Sequence, residues 1–204
     1  MAEQAQVKQL RRLSGSGEIY ALTGEAMHEA LFDDLRKAKS DIVVATADLK
    51  LAQTGPNEHI IDVFEAMPKI DIRILCSRTT TPFRKTLAES RLLDRTTFQI
   101  RQCERNHSKA FMIDGRTVYV GSANLTGKGV GPMASEHSRN NEIMIRMDGS
   151  RAVSLIRFVL DASFEPFWSG KDCDRCRRRK RELCPGLLNK FQILDRYGVD
   201  DKPR

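Results

Sequence analysis

The chain has 204 residues, 40% of them apolar and 30% charged, with a formal net charge of +7. That length supports one compact domain with a sizeable core, and the composition excludes a disordered or fibrous chain. No apolar run approaches the length of a membrane span and no signal-peptide pattern follows Met1, so a cytoplasmic protein without membrane attachment is expected.

Residues 1–17 read as an N-terminal lead-in closing on Ser14-Gly15-Ser16-Gly17. Residues 25–39 have helical periodicity: Met27, Leu31, Leu35 and Ala38 share one side, Asp33, Arg36 and Lys37 the other, and Thr23 or Gly24 caps the start. Residues 41–47 are a strand with apolar residues on both faces. A turn at 54–57 leads into a second helix with an apolar stripe of Ile60, Ile61, Phe64 and Met67, ended by Pro68. Residues 70–76 alternate as a strand, Thr81-Pro82 opens a third helix carrying Phe83, Leu87 and Leu93, and 96–103 form another strand.

The central stretch, 106–124, reads as strand, tight turn, strand, then a Gly-Ser-x-Asn corner. Ala110–Ile113 is a short apolar run, Asp114-Gly115 is a strong hairpin pair because both tolerate positive φ, and 117–120 are β-branched and aromatic. Period-two alternation puts His107 and Lys109 on one face at the start of the first strand, and the hairpin returns Ser122 and Asn124 beside them. A nucleophile or base, a fixed cation and two neutral hydrogen-bonding groups thus converge, a set suited to a phosphate ester. Residues 126–139 read as a Gly- and Ser-rich loop, 141–147 as a strand, and Ser150 caps a helix ending near 168–170. Strands alternating with helices, then a hairpin and a further strand, imply an α/β/α sandwich: a mixed central β-sheet with helices on both sides.

His107, Lys109, Asp114, Gly121, Ser122 and Asn124 form the pattern H-x-K-x4-D-x6-G-S-x-N. The chain resembles the phospholipase D superfamily, with one copy of its His-Lys-Asp motif, over roughly residues 18–168. The resemblance implies the family's α/β sandwich, hence a catalytic domain over 18–170 between the lead-in and a 171–204 extension. It implies His107 as a nucleophile forming a phosphohistidine, Lys109 as the cation on a non-bridging oxygen, and Ser122 and Asn124 as neutral donors. It also implies Glu142 as the carboxylate holding the other nitrogen of the histidine ring. Asp114 is read as fixing the turn through backbone hydrogen bonds, without a catalytic role. No metal is needed for catalysis.

The chemistry calls for a second histidine to protonate the leaving oxygen. His28, His59 and His137 are the other histidines, and none stands in a second His-x-Lys motif. A two-fold homodimer that pairs two copies of His107 supplies the acid, an arrangement similar to the short bacterial endonucleases of the superfamily.

The extension carries its own signals. Residues 171–181 hold seven basic and two acidic residues, a net of +5 out of the chain's +7. Arg175, Arg177, Arg178, Arg179, Lys180 and Arg181 suit the nucleic-acid backbone, without aromatic residues for base stacking. Cys173, Cys176 and Cys184 have the spacing of a structural zinc site or, alternatively, an iron–sulfur cluster. Cys103, Cys76 or a histidine would be the fourth ligand; three reduced thiols on a basic helix is the plain alternative. Leu187, Leu188, Phe191 and Leu194 suggest a closing helix. The expected function is a metal-independent nuclease acting on DNA or RNA, within or apart from a larger DNA-processing or defence complex. A phospholipase and a non-catalytic nucleic-acid-binding protein are the alternatives.

Overall fold

The computed structural model describes residues 8–13, 17–55, 57–130, 140–149, 154 and 186–188. Among them, nine strands form one mixed sheet. At its centre, β3 (Asp41–Leu49) runs parallel to β6 (Asp71–Thr79), and β6 runs parallel to β7 (Phe98–Gln102). On the other side of β3 the sheet turns antiparallel through β8 (Ala110–Ile113), β9 (Thr117–Gly121), β10 (Ile143–Asp148), β2 (Gly17–Thr23) and β1 (Lys8–Leu13). The expected mixed sheet of an α/β fold is present.

The alternation of β3 explains its central place. Ile42 and Val44 join one apolar cluster and Val43 and Ala45 the other. The first cluster is covered by α1 (Gly24–Arg36), α2 (Ile60–Glu65) and α3 (Thr81–Glu89), which contribute Leu31, Phe32, Leu35, Phe64 and Phe83. The second lies on the opposite face and includes Leu75, Met112, Val118 and Met147. A half-buried polar group ties α1 to the antiparallel half. Arg146 Nε lies 2.8 Å from Asp34 Oδ2, and the Tyr119 hydroxyl donates to the same carboxylate.

Three local expectations change. Within the lead-in, Lys8–Leu13 is an edge strand paired antiparallel with β2. Thr54 and Gly55 belong to a short strand, β4 (Gln53–Gly55), which pairs with β5 (Glu58–His59) before α2 begins. Leu187 and Leu188, expected on a helix, are in strand β11 (Gly186–Leu188), with Leu187 opposite Arg101 and Leu188 opposite Ile100. An open strand edge on β7 offers unpaired backbone groups, and pairing with them outweighs the local helical spacing of the leucines. Apart from Ser154, the expected helix beyond Ser150 lies outside the described residues, as does most of the 126–139 loop.

Candidate active site

Strand direction assembles the site. β8 is antiparallel to β3, with Ala110 opposite Ala45, so the residues before β8 lie at the carboxyl end of β3. β9 returns to that end, and β10 starts there with Met144 opposite Gly121. Three segments therefore meet where β3 and β6 finish: 106–109, 121–125 and 140–142. This is also where parallel pairing gives way to antiparallel, the usual location of a ligand site in such sheets.

His107 is exposed and Lys109 half-buried, both just ahead of β8 rather than inside it. Lys109 Nζ lies 3.1 Å from His107 Nδ1 and donates to the His107 carbonyl oxygen at 2.9 Å. The neighbouring Asn106 is buried. Its amide nitrogen donates to the carbonyls of Thr46 at 2.9 Å and Leu75 at 3.2 Å, and its side-chain oxygen accepts from Ser108 N at 3.2 Å.

Ser122 and Glu142 are brought together. The Ser122 hydroxyl donates to Glu142 Oε2, Asn140 Nδ2 donates to Oε1 at 3.2 Å, and Ile143 N donates to Ser122 Oγ at 3.1 Å. The expected bond from Glu142 to the His107 ring is not formed. Ser122 N donates to the Ile143 carbonyl at 3.0 Å, so the residue before Ile143 falls beside Ser122, while Lys109 occupies His107 Nδ1. Asn124 is committed on one side: its oxygen accepts from Ala47 N at 3.0 Å, Asp48 N at 3.2 Å and the Thr46 hydroxyl at 3.3 Å. Its amide N–H groups are what it has to offer a ligand.

Glycines set the close approaches. A Cβ on Gly121 would lie 2.1 Å from the Ile143 carbonyl oxygen, and one on Gly129 would lie 2.3 Å from that of Asn124. The loop that follows is moored by Lys50 N to the Leu125 carbonyl at 3.0 Å and by His28 Nδ1 to the Val130 carbonyl at 2.6 Å.

Asp114 does more than hold its own turn. At φ 54° it directs its carboxylate to the α1–β3 connection, accepting from Lys39 N, Ser40 N, Ser40 Oγ and Asp41 N at 2.7–3.3 Å. Partial burial opposes its charge, but the N–H groups of Ser40, Lys39 and Asp41 and the Ser40 hydroxyl outweigh that and hold the carboxyl below its usual range.

Cys76 and Cys103 are buried in the sheet region. Burial, reinforced by Cys103, pushes the Cys76 thiol up to about 12. Among the described residues no group of three or more His, Cys, Asp and Glu is placed to hold a metal. Cys173, Cys176, Cys184 and the run Arg175, Arg177, Arg178, Arg179, Lys180 and Arg181 lie outside the described residues. No described helix is long and apolar enough to cross a membrane.

Asn106 and Thr46 were not singled out by sequence. An Asn before His-x-Lys and a Thr within an apolar strand are unremarkable in one dimension; only their burial shows that each polar side chain needs partners, Asn106 at the carbonyls of Thr46 and Leu75, the Thr46 hydroxyl at the Asp48 carbonyl and Leu125 N.

Residues 31–166 match the family model described as "Cardiolipin synthase, PLD-like domain". No curated protein matches the chain by sequence. Among solved structures, NucT from Helicobacter pylori is similar over 73% of this chain and 96% of its own, with a TM-score of 0.51 and 12% identity. The phospholipase D family member Nuc from Salmonella typhimurium is similar over 72% and 95%, with a TM-score of 0.52 and 17% identity. Phosphatidylserine synthase from Haemophilus influenzae Rd KW20 is similar over 90% of this chain but 43% of its own, with a TM-score of 0.55 and 10% identity. At these identities the structures speak to the fold, and the family match speaks to descent. The chain belongs to the phospholipase D superfamily and has its α/β fold.

Proposed function

We propose that the protein is a metal-independent phosphodiesterase, a nuclease cleaving DNA or RNA through a phosphohistidine at a site shared by two copies of the chain. The observation that carries this reading is the pairing of an exposed imidazole, His107, with the Lys109 ammonium at the carboxyl end of β3. His107 Nε2 attacks phosphorus, the bond to the leaving oxygen breaks, and a protonated His107 of a second copy supplies that oxygen's proton. Water then attacks the phosphohistidine, giving its proton back to the second histidine and regenerating the first. Lys109 and the Asn124 amide balance charge on the non-bridging oxygens. Ser122, whose one hydroxyl proton rests on Glu142, becomes the further donor by turning that proton from the carboxylate to the phosphate.

The net charge of +5 over 171–181 supports a polyanionic substrate, with Arg175, Arg177, Arg178, Arg179, Lys180 and Arg181 on its backbone. Cys173, Cys176 and Cys184 are proposed as a structural metal site, zinc first, and the protein is placed in the cytoplasm. One observation favours a second reading: the matched family description and the phosphatidylserine synthase likeness both name lipid enzymes. Incubation in EDTA with single- and double-stranded DNA, RNA and phospholipid vesicles separates them. Cleavage of nucleic acid, lost in His107→Ala, supports the nuclease; turnover of lipid alone replaces it with the lipid enzyme.

A further inference from the structure

We infer that Asn106 is the positioning residue that fixes the backbone of the nucleophile, an inference that rests on the role proposed for His107. His107 stands ahead of β8 and is exposed, so no strand ladder holds it. Its rotation is governed by the two peptide planes that flank it. The plane before it ends in the Asn106 carbonyl, which accepts a hydrogen bond from the Ser77 hydroxyl. The plane after it begins with Ser108 N–H, which donates to the Asn106 side-chain oxygen at 3.2 Å. Both planes are therefore clamped, one by Ser77 on β6 and one by Asn106 itself.

The clamp has a rigid base. Asn106 is 3% exposed, and its amide nitrogen spans adjacent strands by donating to Thr46 O at 2.9 Å and Leu75 O at 3.2 Å. Its own N–H donates to Cys103 O at 2.9 Å. Thr46 also accepts Leu125 N on its hydroxyl at 3.0 Å and meets the Asn124 oxygen. One residue of β3 thus moors both the His107 segment and the Ser122–Asn124 corner. A side chain that only filled space would not need donor and acceptor distributed over three segments.

The test compares wild type with Asn106→Ala and Ser77→Ala, using phosphodiester turnover and the histidine ring signals in NMR. For Asn106→Ala, kcat is expected to fall on the order of 10²-fold through misplacement of the nucleophile, with KM held within about threefold. The His107 ring signals shift or broaden while those of the other histidines stay in place. Ser77→Ala removes one hydroxyl and leaves the amide bonds intact, so it shows the same pattern with a smaller fall even if Asn106→Ala does not fold. His107 signals that superimpose on wild type in a folded variant overturn the inference. If wild type turns over no phosphodiester, the functional reading fails, and the ring signals alone still decide whether Asn106 positions His107.

Discussion

Lys109 Nζ sits 3.1 Å from His107 Nδ1, and an ammonium can only donate. Nδ1 is therefore the acceptor and a neutral His107 ring carries its proton on Nε2. Attack by Nε2 needs that lone pair free, so the resting contact holds the proposed nucleophile in its unreactive tautomer. A bound phosphate that draws Lys109 away releases Nδ1 to take the proton. Nitrogen-15 spectra of the neutral ring should show an Nε2–H tautomer in the free protein and a changed tautomer on adding a phosphate analogue such as vanadate. An Nδ1–H tautomer in the free protein would contradict this contact. Lys109→Met should lower kcat by about 10²–10³-fold, the usual cost of losing one group that stabilises developing charge.

Ser122 and Glu142 act as a unit, since the hydroxyl of one is bonded to the carboxylate of the other. Ser122→Ala and Glu142→Gln should each reduce activity, and the double variant should be scarcely worse than the more damaging single one. Fully multiplicative losses in a double-mutant cycle would show that the two work independently.

Gly121 and Gly129 are positions where a methyl group meets backbone at 2.1 and 2.3 Å. Gly121→Ala must push β10 from β9, and Gly129→Ala must displace Asn124. Each should cost about 1–3 kcal/mol, read from urea denaturation, and should lower activity further than the stability loss explains. Unchanged midpoints would mean the corner is looser than its geometry indicates.

Asp114 links the hairpin to the start of β3, and its folded-state carboxyl is held below the ordinary value. The stability it contributes is present above the unfolded value of about 3.9 and is lost as pH falls through the lower folded value. Asp114→Ala should destabilise by about 2 kcal/mol at neutral pH, and the gap should close in acid. Thermal melts across that range check the sign: a gap that widened in acid would place the stabilising interactions on the neutral carboxyl.

The central hairpin was legible because its signals are local: an apolar run, Asp114-Gly115, then a β-branched run. β3 and β6 were legible for the same reason, through alternation along a few residues. The pairing of Leu187 with Arg101, by contrast, depends on an open edge that no local pattern reveals. The site divides the same way. The motif spacing was enough to expect His107, Lys109 and Ser122 at one end of the sheet, yet the partner of Glu142 follows from the register between β9 and β10. Asp114 was assigned to its own turn because its carboxylate's partners, at 39–41, are more than 70 residues away in sequence.

The central claim is a nucleophilic histidine that works without a metal. The most direct measurement is turnover of a radiolabelled oligonucleotide in excess EDTA, quenched with detergent at alkaline pH, followed by digestion and mapping of the protein-bound label. The account predicts cleavage in EDTA, with acid-labile phosphate on the peptide containing His107 and none in His107→Ala. Cleavage that requires a divalent cation, or that persists in His107→Ala, would contradict it.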